Sequence, residues 1–263
     1  PDLVGFTITT YGFHQTLDWV RRIKARTGLP VVVGGWHLSL YPAETMSHPE
    51  LDYAICGEAD FTFPEFLRAL ESGGDLAGIE GLAFRKNGAV ILNRPRQQLP
   101  DPDQTPFPAR QLLRNELYHN ILTRRRNFTV MLSARGCPFH CLFCDLKSIK
   151  FRQRSALNFV DELELCRRDF AIREFDIYDS SFTVNKKRVL ETCGEINRRK
   201  LEISWSARTR ADCMDPEMLQ ALREAGCHTL MYGIESGNRE ILKGLRKDVD
   251  LERIEEMVRF TRR

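Results

Sequence analysis

The sequence predicts an α/β protein built from two domains. Strand and helix signals alternate over the first 75 residues and again from Phe128 onward, which is typical of parallel sheets with crossover helices. Between these stretches, five of the twelve prolines fall within fourteen residues, a composition typical of an extended linker. A chain of 263 residues that is 42% hydrophobic is long enough to bury a core in each domain.

The first domain is expected at residues 1–80. The double glycine Gly34 and Gly35 follows a β-branched run, and Thr62 with Glu65 resembles a capping box that begins a helix. Because this alternation of strand and helix signals is typical of βαβ units, ligands are expected at the carboxyl ends of the strands, where Gly34 and Gly35 lie. The predicted elements are strands at 3–8, 31–33 and 52–56, and helices at 17–28 and 62–70.

Residues 81–126 are expected to connect the domains. Apolar residues on either side of Asn87 and Gly88 predict a β-hairpin over 81–93, and the proline-rich linker follows it. The domain boundary is therefore expected in this segment.

The second domain is expected at residues 127–263. Asp215, Pro216 and Glu217 form a well-marked helix start, and Gly226 marks its end. Each predicted strand is followed by a helical stretch, so the domain holds about four βα units. Four units are too few to close a barrel, and the chain opens on Pro1, so we expect it to be a fragment. The predicted strands are 129–133, 174–178, 202–207 and 229–233, and a charged helix is predicted over 251–262.

Composition and charge exclude several classes of protein. No apolar stretch approaches the roughly 20 residues that cross a bilayer, and no secretory signal opens the chain, so a cytoplasmic protein is expected. Residues 1–80 carry 5 Lys and Arg against 11 Asp and Glu, a net charge of −6, whereas the remainder carries 34 against 25, a net charge of +9. The cations of the second part are scattered, so nucleic-acid binding is not expected.

The cysteine pattern points to a metal. Three of the eight cysteines, Cys137, Cys141 and Cys144, fall within eight residues of a Gly- and Pro-containing loop at the end of a predicted strand, whereas the other five are isolated. Such a loop bends freely and brings three thiolates around one centre. An iron–sulfur cluster is one interpretation. Zinc is the other, because His140 supplies a fourth ligand of a Cys3His set.

The spacing Cys137-x3-Cys141-x2-Cys144, with the aromatic Phe143 before the last cysteine, resembles the signature of the radical SAM superfamily. The resemblance implies that the three cysteines hold a 4Fe–4S cluster and that its fourth iron binds S-adenosylmethionine (SAM). An electron from such a cluster splits SAM, and the resulting deoxyadenosyl radical takes hydrogen from an unreactive C–H group.

Segments at later strand ends are similar to the same family. The resemblance implies that Asp179 accepts a hydrogen bond from the SAM amino group and that Ser206 and Arg208 approach its carboxylate and ribose. The segment from Gly233 to Gly237 implies that Glu235 and Ser236 also lie beside SAM. Phe143 is counted with these cofactor-binding residues.

The first domain resembles the cobalamin-binding domain that precedes the radical SAM barrel in one large subgroup. The resemblance implies that Thr7, Thr9, Gly34 and Gly35 lie along the nucleotide tail of cobalamin, and that His37 lies in or behind that site. The implied fold is a partial Rossmann-like cobalamin-binding domain followed by part of a radical SAM (β/α)6 barrel.

The implied function is that of a cobalamin-dependent radical SAM enzyme, most commonly a methyltransferase, with a cyclase as a further possibility. The expected cofactors are a 4Fe–4S cluster, SAM and cobalamin, and the expected partners are a small-molecule substrate and a reductant such as flavodoxin or ferredoxin. The alternative is a zinc-stabilised nucleotide-binding or regulatory module without radical chemistry.

Overall fold

The computed structural model describes residues 1–121, 123–247 and 249–262, and the chain forms two compact units that divide between Leu99 and Pro100. This division lies inside the predicted connection. The hydrophobic cores are built within the units, so each unit is described by itself. No described helix is both long and apolar enough to cross a membrane.

The first unit is a five-stranded sheet with flanking helices. Its first three strands are parallel, with Val4 opposite Val31 and Val32 opposite Tyr53, as the βαβ pattern predicts. The strands, in their order across the sheet, are β1 (Val4–Thr7), β2 (Val31–Gly34), β3 (Tyr53–Ile55), β4 (Leu82–Lys86) and β5 (Ala89–Leu92). The helices are α1 (Phe13–Thr27), α2 (Trp36–Leu40), α3 (Pro42–Ser47) and α4 (Ala59–Ser72).

The predicted hairpin forms, but it extends the first sheet rather than belonging to the connection. Asn87 and Gly88 both have positive φ angles, of 51° and 82°, as a tight two-residue hairpin turn requires. Strand β4 pairs antiparallel with β3, with Tyr53 opposite Phe84. Because the apolar face of β4 is buried in the core of the first unit, the hairpin is held there.

The helix predicted to begin at Thr62 begins three residues earlier. Helix α4 starts at Ala59 with Glu58 as its N-cap residue, so Thr62 lies inside it. The Thr62 hydroxyl donates to the carbonyl of Glu80 at 3.0 Å and does not cap the helix. The capping-box interpretation is therefore wrong, because long-range contacts take the polar groups that it assigns to the helix end.

The second unit is built around a four-stranded parallel sheet in the order β11-β10-β9-β6, and all four predicted strands form. Asp215 caps the best-marked helix by accepting a bond from Met218 N at 2.9 Å, which confirms its predicted start. The strands are β6 (Phe128–Met131), β7 (Ala134–Arg135), β8 (Arg152–Gln153), β9 (Glu174–Ile177), β10 (Ser204–Thr209) and β11 (Cys227–Tyr232). The helices are α5 (Ala156–Phe170), α6 (Lys186–Arg198), α7 (Pro216–Glu224), α8 (Arg239–Gly244) and α9 (Leu251–Thr261).

The parallel pairing of this sheet positions the site. Met131 lies opposite Ile177, and Ile177 lies opposite Ala207, so the carboxyl ends of β6, β9 and β10 lie at one edge. The buried residues Phe175, Trp205 and Ala207 anchor the strands in the core of the second unit. The segments that follow these strands therefore start close together, and the cysteines lie in the first of them.

Candidate functional site

The loop that carries the three cysteines is anchored at its base and at its middle. Its two ends pair antiparallel as β7 and β8. Gly136 has a φ of 73°, and a Cβ atom there would lie 2.5 Å from the carbonyl oxygen of Ile149, so only glycine fits. The backbone N–H of Leu142 donates to the carbonyl of Leu245 at 2.9 Å, which ties the loop to the end of α8.

The other two cysteines of the loop lie close enough to Cys137 for their charges to act on its thiol. Cys141 is buried, and Cys137 and Cys144 are half-buried. Burial raises the pKa of Cys137, and the charges of Cys144 and Cys141 raise it further. Among the described residues, no three His, Cys, Asp or Glu side chains are already arranged to hold a metal ion, so ligation by these thiols stays a prediction. The donor set nevertheless fits an iron–sulfur cluster, since it consists of three neighbouring soft ligands.

Arg210, which follows β10, lies against this loop, and the charge of Cys137 in the loop acts on Cys213. Arg210 places Nη1 3.9 Å from the Cys141 sulfur and stacks over the Phe139 ring, with Cζ 3.9 Å from the ring centroid. Burial raises the pKa of Cys213 to about 11, and the charges of Asp212 and Cys137 raise it too. Cys213, which the sequence suggests is one of five isolated thiols, is therefore an electrostatic neighbour of Cys137.

Asp179, which follows β9, faces the start of the cysteine loop. One carboxylate oxygen accepts bonds from the backbone N–H groups of Ser133 and Ala134, at 2.7 and 3.0 Å, and the other accepts the Ser133 hydroxyl. Asp179 is 1% exposed, and burial raises its pKa against the opposing effects of these bonds and of Arg188. This arrangement favours a role in positioning the loop, and contact between Asp179 and SAM stays a prediction.

Arg208 and Ser206, on β10, both bond to Asp176 on β9. Arg208 makes a bidentate pair with Asp176, with N–O distances of 2.7 and 3.1 Å, and its guanidinium stacks 3.5 Å from the centroid of the Tyr178 ring. The Ser206 hydroxyl donates to the same carboxylate at 2.9 Å. The structure thus brings two of the predicted SAM residues together. The side chain of Arg208 keeps 27% of its surface exposed, so part of it faces solvent.

Glu235 follows β11 in a left-handed backbone conformation, with a φ of 67°. Its carboxylate accepts a bond from Lys247 Nζ at 2.9 Å, and the Lys247 side chain is only 5% exposed. A Cβ atom on Gly233 would lie 2.8 Å from the Glu235 carboxylate, so glycine leaves room for this pair. Ser236, the other predicted residue here, accepts a bond from the N–H of Asn238 at 3.1 Å and helps to begin α8.

The remaining predicted residues of the loop are exposed. Phe143 is 52% exposed, and His140 is also an exposed residue. The aromatic ring that does stack within the loop is Phe139, against Arg210. A role for Phe143 beside the cofactor stays a prediction.

In the first unit, the predicted cobalamin residues lie at the carboxyl ends of β1 and β2. Thr7 and Thr9 are exposed, and Gly34 leaves space, since its nearest neighbour would be 4.0 Å from an added Cβ atom. Gly35 has a φ of 103°, and a Cβ atom there would lie 2.7 Å from the carbonyl oxygen of Ile8. Glycine is required at 35 by the close approach of this chain's own backbone.

His37 lies in an aromatic cluster at the same end of the first sheet. It is 5% exposed and stacks on Phe13, with ring centroids 4.4 Å apart. Its Nδ1 lies 3.2 Å from the Thr10 hydroxyl, whereas Nε2 is buried and finds no hydrogen-bond partner among the described residues. His37 thus adds a nitrogen without a partner among the described residues to the sheet edge that also carries exposed threonines and an open glycine.

Sequence reasoning did not single out Asp176, Arg210 or Lys247 as parts of the site. The sequence places Asp176 only within a predicted strand, and it gives Arg210 and Lys247 no role beyond that of scattered cations in the second part. The sequence signal that points to Arg210 is its position. Arg210 lies one residue beyond β10, at the edge of the sheet where the cysteine loop begins. In folds of this kind, functional residues come from the carboxyl ends of the parallel strands.

Two family models match the chain. The model described as the Radical SAM superfamily matches residues 131–263, and the model described as the B12 binding domain matches residues 1–67. The division between these matches agrees with the two units of the structure.

Among curated proteins, an uncharacterized methyltransferase of Pyrococcus horikoshii, PH0819, is 34% identical over 255 residues, which cover 95% of this chain and 55% of that protein. The cytidylyl-2-hydroxyethylphosphonate methyltransferase of Streptomyces wedmorensis is 27% identical, over 100% of this chain and 55% of its own length. The chain thus spans about half the length of these relatives.

A solved structure of the radical SAM methyltransferase TsrM from Kitasatospora setae, with tryptophan and a SAM analogue bound, superposes with a TM-score of 0.78. The sequence identity is 21%, and the match covers 100% of this chain and 55% of TsrM. At this identity the likeness shows a shared fold.

Proposed function

Because the chain belongs to the radical SAM superfamily and carries a B12-binding domain ahead of its radical SAM domain, we propose that it is part of a cobalamin-dependent methyltransferase. The proposal includes a 4Fe–4S cluster, SAM and cobalamin as cofactors. The observation that supports it is that Cys137, Cys141 and Cys144 share one loop, which is anchored at the strand ends of the second unit.

Three cysteine ligands suit a cluster that must also bind a substrate, because they leave one iron open. The chemistry that such a cluster supplies when bound is the one-electron cleavage of SAM. The chain's own part is to hold the thiolates in place. Its means are the β7–β8 base, the Leu142–Leu245 bond and the bonds from the start of the loop to Asp179.

We assign SAM recognition to Arg208 and Glu235. SAM carries a carboxylate beside an ammonium and a sulfonium, so its site needs a cation near the first and an acid near the others. Arg208 is fixed by Asp176 and Tyr178 but keeps part of its surface exposed, and Glu235 is held by Lys247 while 36% of its side chain remains exposed. Each side chain is thus oriented by a protein partner and still open to a ligand.

We assign cobalamin binding to the carboxyl edge of the first sheet. Thr7 and Thr9 are exposed there, Gly34 leaves the backbone accessible, and Nε2 of His37 has no hydrogen-bond partner within the described part of the chain. These groups offer hydrogen bonds and close backbone approach to a nucleotide tail. The substrate is proposed to be a small molecule, the reductant a flavodoxin or ferredoxin, and the location the cytoplasm.

The test uses the full-length protein, produced with added cobalamin and purified without oxygen. We expect the visible absorption of both cobalamin and an iron–sulfur cluster, and release of deoxyadenosine or a methylated product when SAM and a reductant are supplied. A colourless protein that contains zinc and leaves SAM intact would contradict the proposal. A protein with both cofactors that rearranges its substrate without methylating it would retain the cofactor assignment and overturn methyl transfer.

A further inference from the structure

Arg210 reaches from the end of β10 to the cysteine loop. Its Nη1 lies 3.9 Å from the Cys141 sulfur, which is hydrogen-bonding distance for this large atom. Its guanidinium also covers the Phe139 ring, at 3.9 Å from the centroid. Arg210 is 7% exposed and Cys141 is 8% exposed, so the contact is shielded from water.

Asp212 fixes the direction of the Arg210 side chain. The carboxylate accepts a bond from Nε at 2.9 Å and a second from Nη2 at 2.7 Å. This bidentate pair uses one edge of the planar guanidinium, and the remaining nitrogen, Nη1, is therefore held toward the sulfur. Burial acts to lower the pKa of Arg210, but the bond to Asp212 raises it, so the group stays charged.

A hydrogen bond donated to a cysteine sulfur becomes stronger when the iron–sulfur cluster that this sulfur binds accepts an electron. Reduction adds negative charge to the cluster and its sulfur ligands, and an N–H group that points at a sulfur stabilises the added charge. In a buried site this effect is stronger than in water.

We propose that Arg210 is a positioning residue that donates a hydrogen bond to the sulfur of Cys141 and thereby raises the reduction potential of the cluster. The inference rests on the proposed function, because it requires that these cysteines hold a cluster. It assigns Arg210 a task different from that of Arg208, whose partners are Asp176 and Tyr178.

The test compares the reduction potential of the cluster between wild type and variants of the full-length protein. Each protein is reconstituted with iron and sulfide in the absence of SAM, and the potential is measured by redox titration monitored by electron paramagnetic resonance. The main variant is Arg210→Met, and Arg208→Met is its matched control, since it removes one positive charge only two residues away and likewise breaks a bidentate pair with an aspartate. Because Arg210→Met leaves Asp212 uncompensated, the double variant Arg210→Met/Asp212→Asn separates the hydrogen bond from net charge.

We expect Arg210→Met to shift the reduction equilibrium at least tenfold toward the oxidised cluster, which is about 59 mV for one electron. The double variant should keep most of this shift, and Arg208→Met should show less than a third of it. A double variant with the wild-type potential, or an equal shift in Arg208→Met, would overturn the inference.

Cluster assembly tests the proposed function, and the reduction potential of the assembled cluster tests the role of Arg210. A wild-type protein that assembles no cluster overturns both, whereas a wild-type cluster with an unchanged potential in every Arg210 variant overturns only the role of Arg210. If Arg210→Met alone does not retain iron, the double variant Arg210→Met/Asp212→Asn is decisive. It removes the donor and leaves no unpaired carboxylate, so its potential should fall, and a wild-type potential in that variant would refute the inference.

Discussion

Removal of the Asp179 carboxylate should lower the free energy of unfolding of the second unit, even when no cofactor is bound. In Asp179→Ala, the N–H groups of Ser133 and Ala134 lose their partner, and so does the Ser133 hydroxyl. All three donors lie where water does not reach, because Ser133 is 0% exposed and Ala134 is 6% exposed. Asp179→Asn keeps an acceptor oxygen for the two N–H groups and lets the amide donate to the hydroxyl.

The expected loss of stability in each variant follows from the hydrogen bonds that it breaks. Leaving a buried donor without a partner costs about 1–3 kcal/mol, and breaking a buried charged arrangement costs about 3–5 kcal/mol in total. We therefore expect a loss of about 3–5 kcal/mol for Asp179→Ala and about 1–2 kcal/mol for Asp179→Asn. For a unit of this size, about 1 kcal/mol corresponds to roughly 2–4 °C in the melting temperature.

The assay is thermal unfolding of the cofactor-free chain, followed by the fluorescence of Trp205. Trp205 is buried in the core of the second unit, and Trp19→Phe with Trp36→Phe removes the signal of the first unit. Asp169→Ala is the control, because that carboxylate is paired on the surface with Arg168, and its melting temperature should not change. An Asp179→Ala protein that melts like the parent but binds SAM poorly would refute the positioning role and favour direct contact with SAM.

Three further experiments test other parts of the two units. Gly35→Ala should destabilise the first unit by about 1–3 kcal/mol in urea unfolding, because its positive φ and the backbone of Ile8 exclude a side chain, whereas Gly34→Ala should be tolerated. Cys193, whose pKa burial raises to about 12, should resist alkylation at pH 8 in the folded chain. Glu235→Gln and Arg208→Lys should keep the iron content and lower deoxyadenosine release about tenfold, which is the loss of about one charged hydrogen bond.

Each of these perturbations has a matched comparison. Equal stability of Gly35→Ala and Gly34→Ala would show that the close approach of Gly35 to Ile8 does not constrain the first unit. In the labelling experiment, Cys144 of the cofactor-free chain is the internal control, and Cys193 reacting as fast as Cys144 would contradict its burial. For the SAM variants, conservative changes are used because Glu235→Ala would strand the buried Lys247. Unchanged deoxyadenosine release in both would remove the SAM assignment.

Local pattern was sufficient to predict most of the fold. The β-branched run that ends at Gly34 forms β2, the Asn87–Gly88 turn forms the hairpin, and Asp215 caps its helix. These elements are specified by neighbouring residues, so a sequence window contains the information. The hairpin's place in the first sheet was not predictable in this way, because it depends on pairing between β3 and β4 across about thirty residues.

The site was predictable as a set of positions but not as a set of partners. The cysteine motif and the strand ends were visible in the sequence, whereas the pairing of Arg208 with Asp176, of Glu235 with Lys247 and of Arg210 with the cysteine loop joins separate elements. Thr62 illustrates the same limit, since its hydroxyl bonds to Glu80 rather than to its own helix. Tertiary contacts decide which of several possible partners a polar side chain takes.

The central claim is that Cys137, Cys141 and Cys144 together hold a redox-active iron–sulfur cluster, and metal analysis of four single variants tests it most directly. Iron, sulfide and zinc are measured after anaerobic reconstitution of each alanine variant of the three cysteines and of His140→Ala. We predict about four irons in wild type and in His140→Ala, and loss of the cluster in each cysteine variant, because two remaining thiolates are too few anchors. Zinc in place of iron, lost when His140 is replaced, would contradict the account.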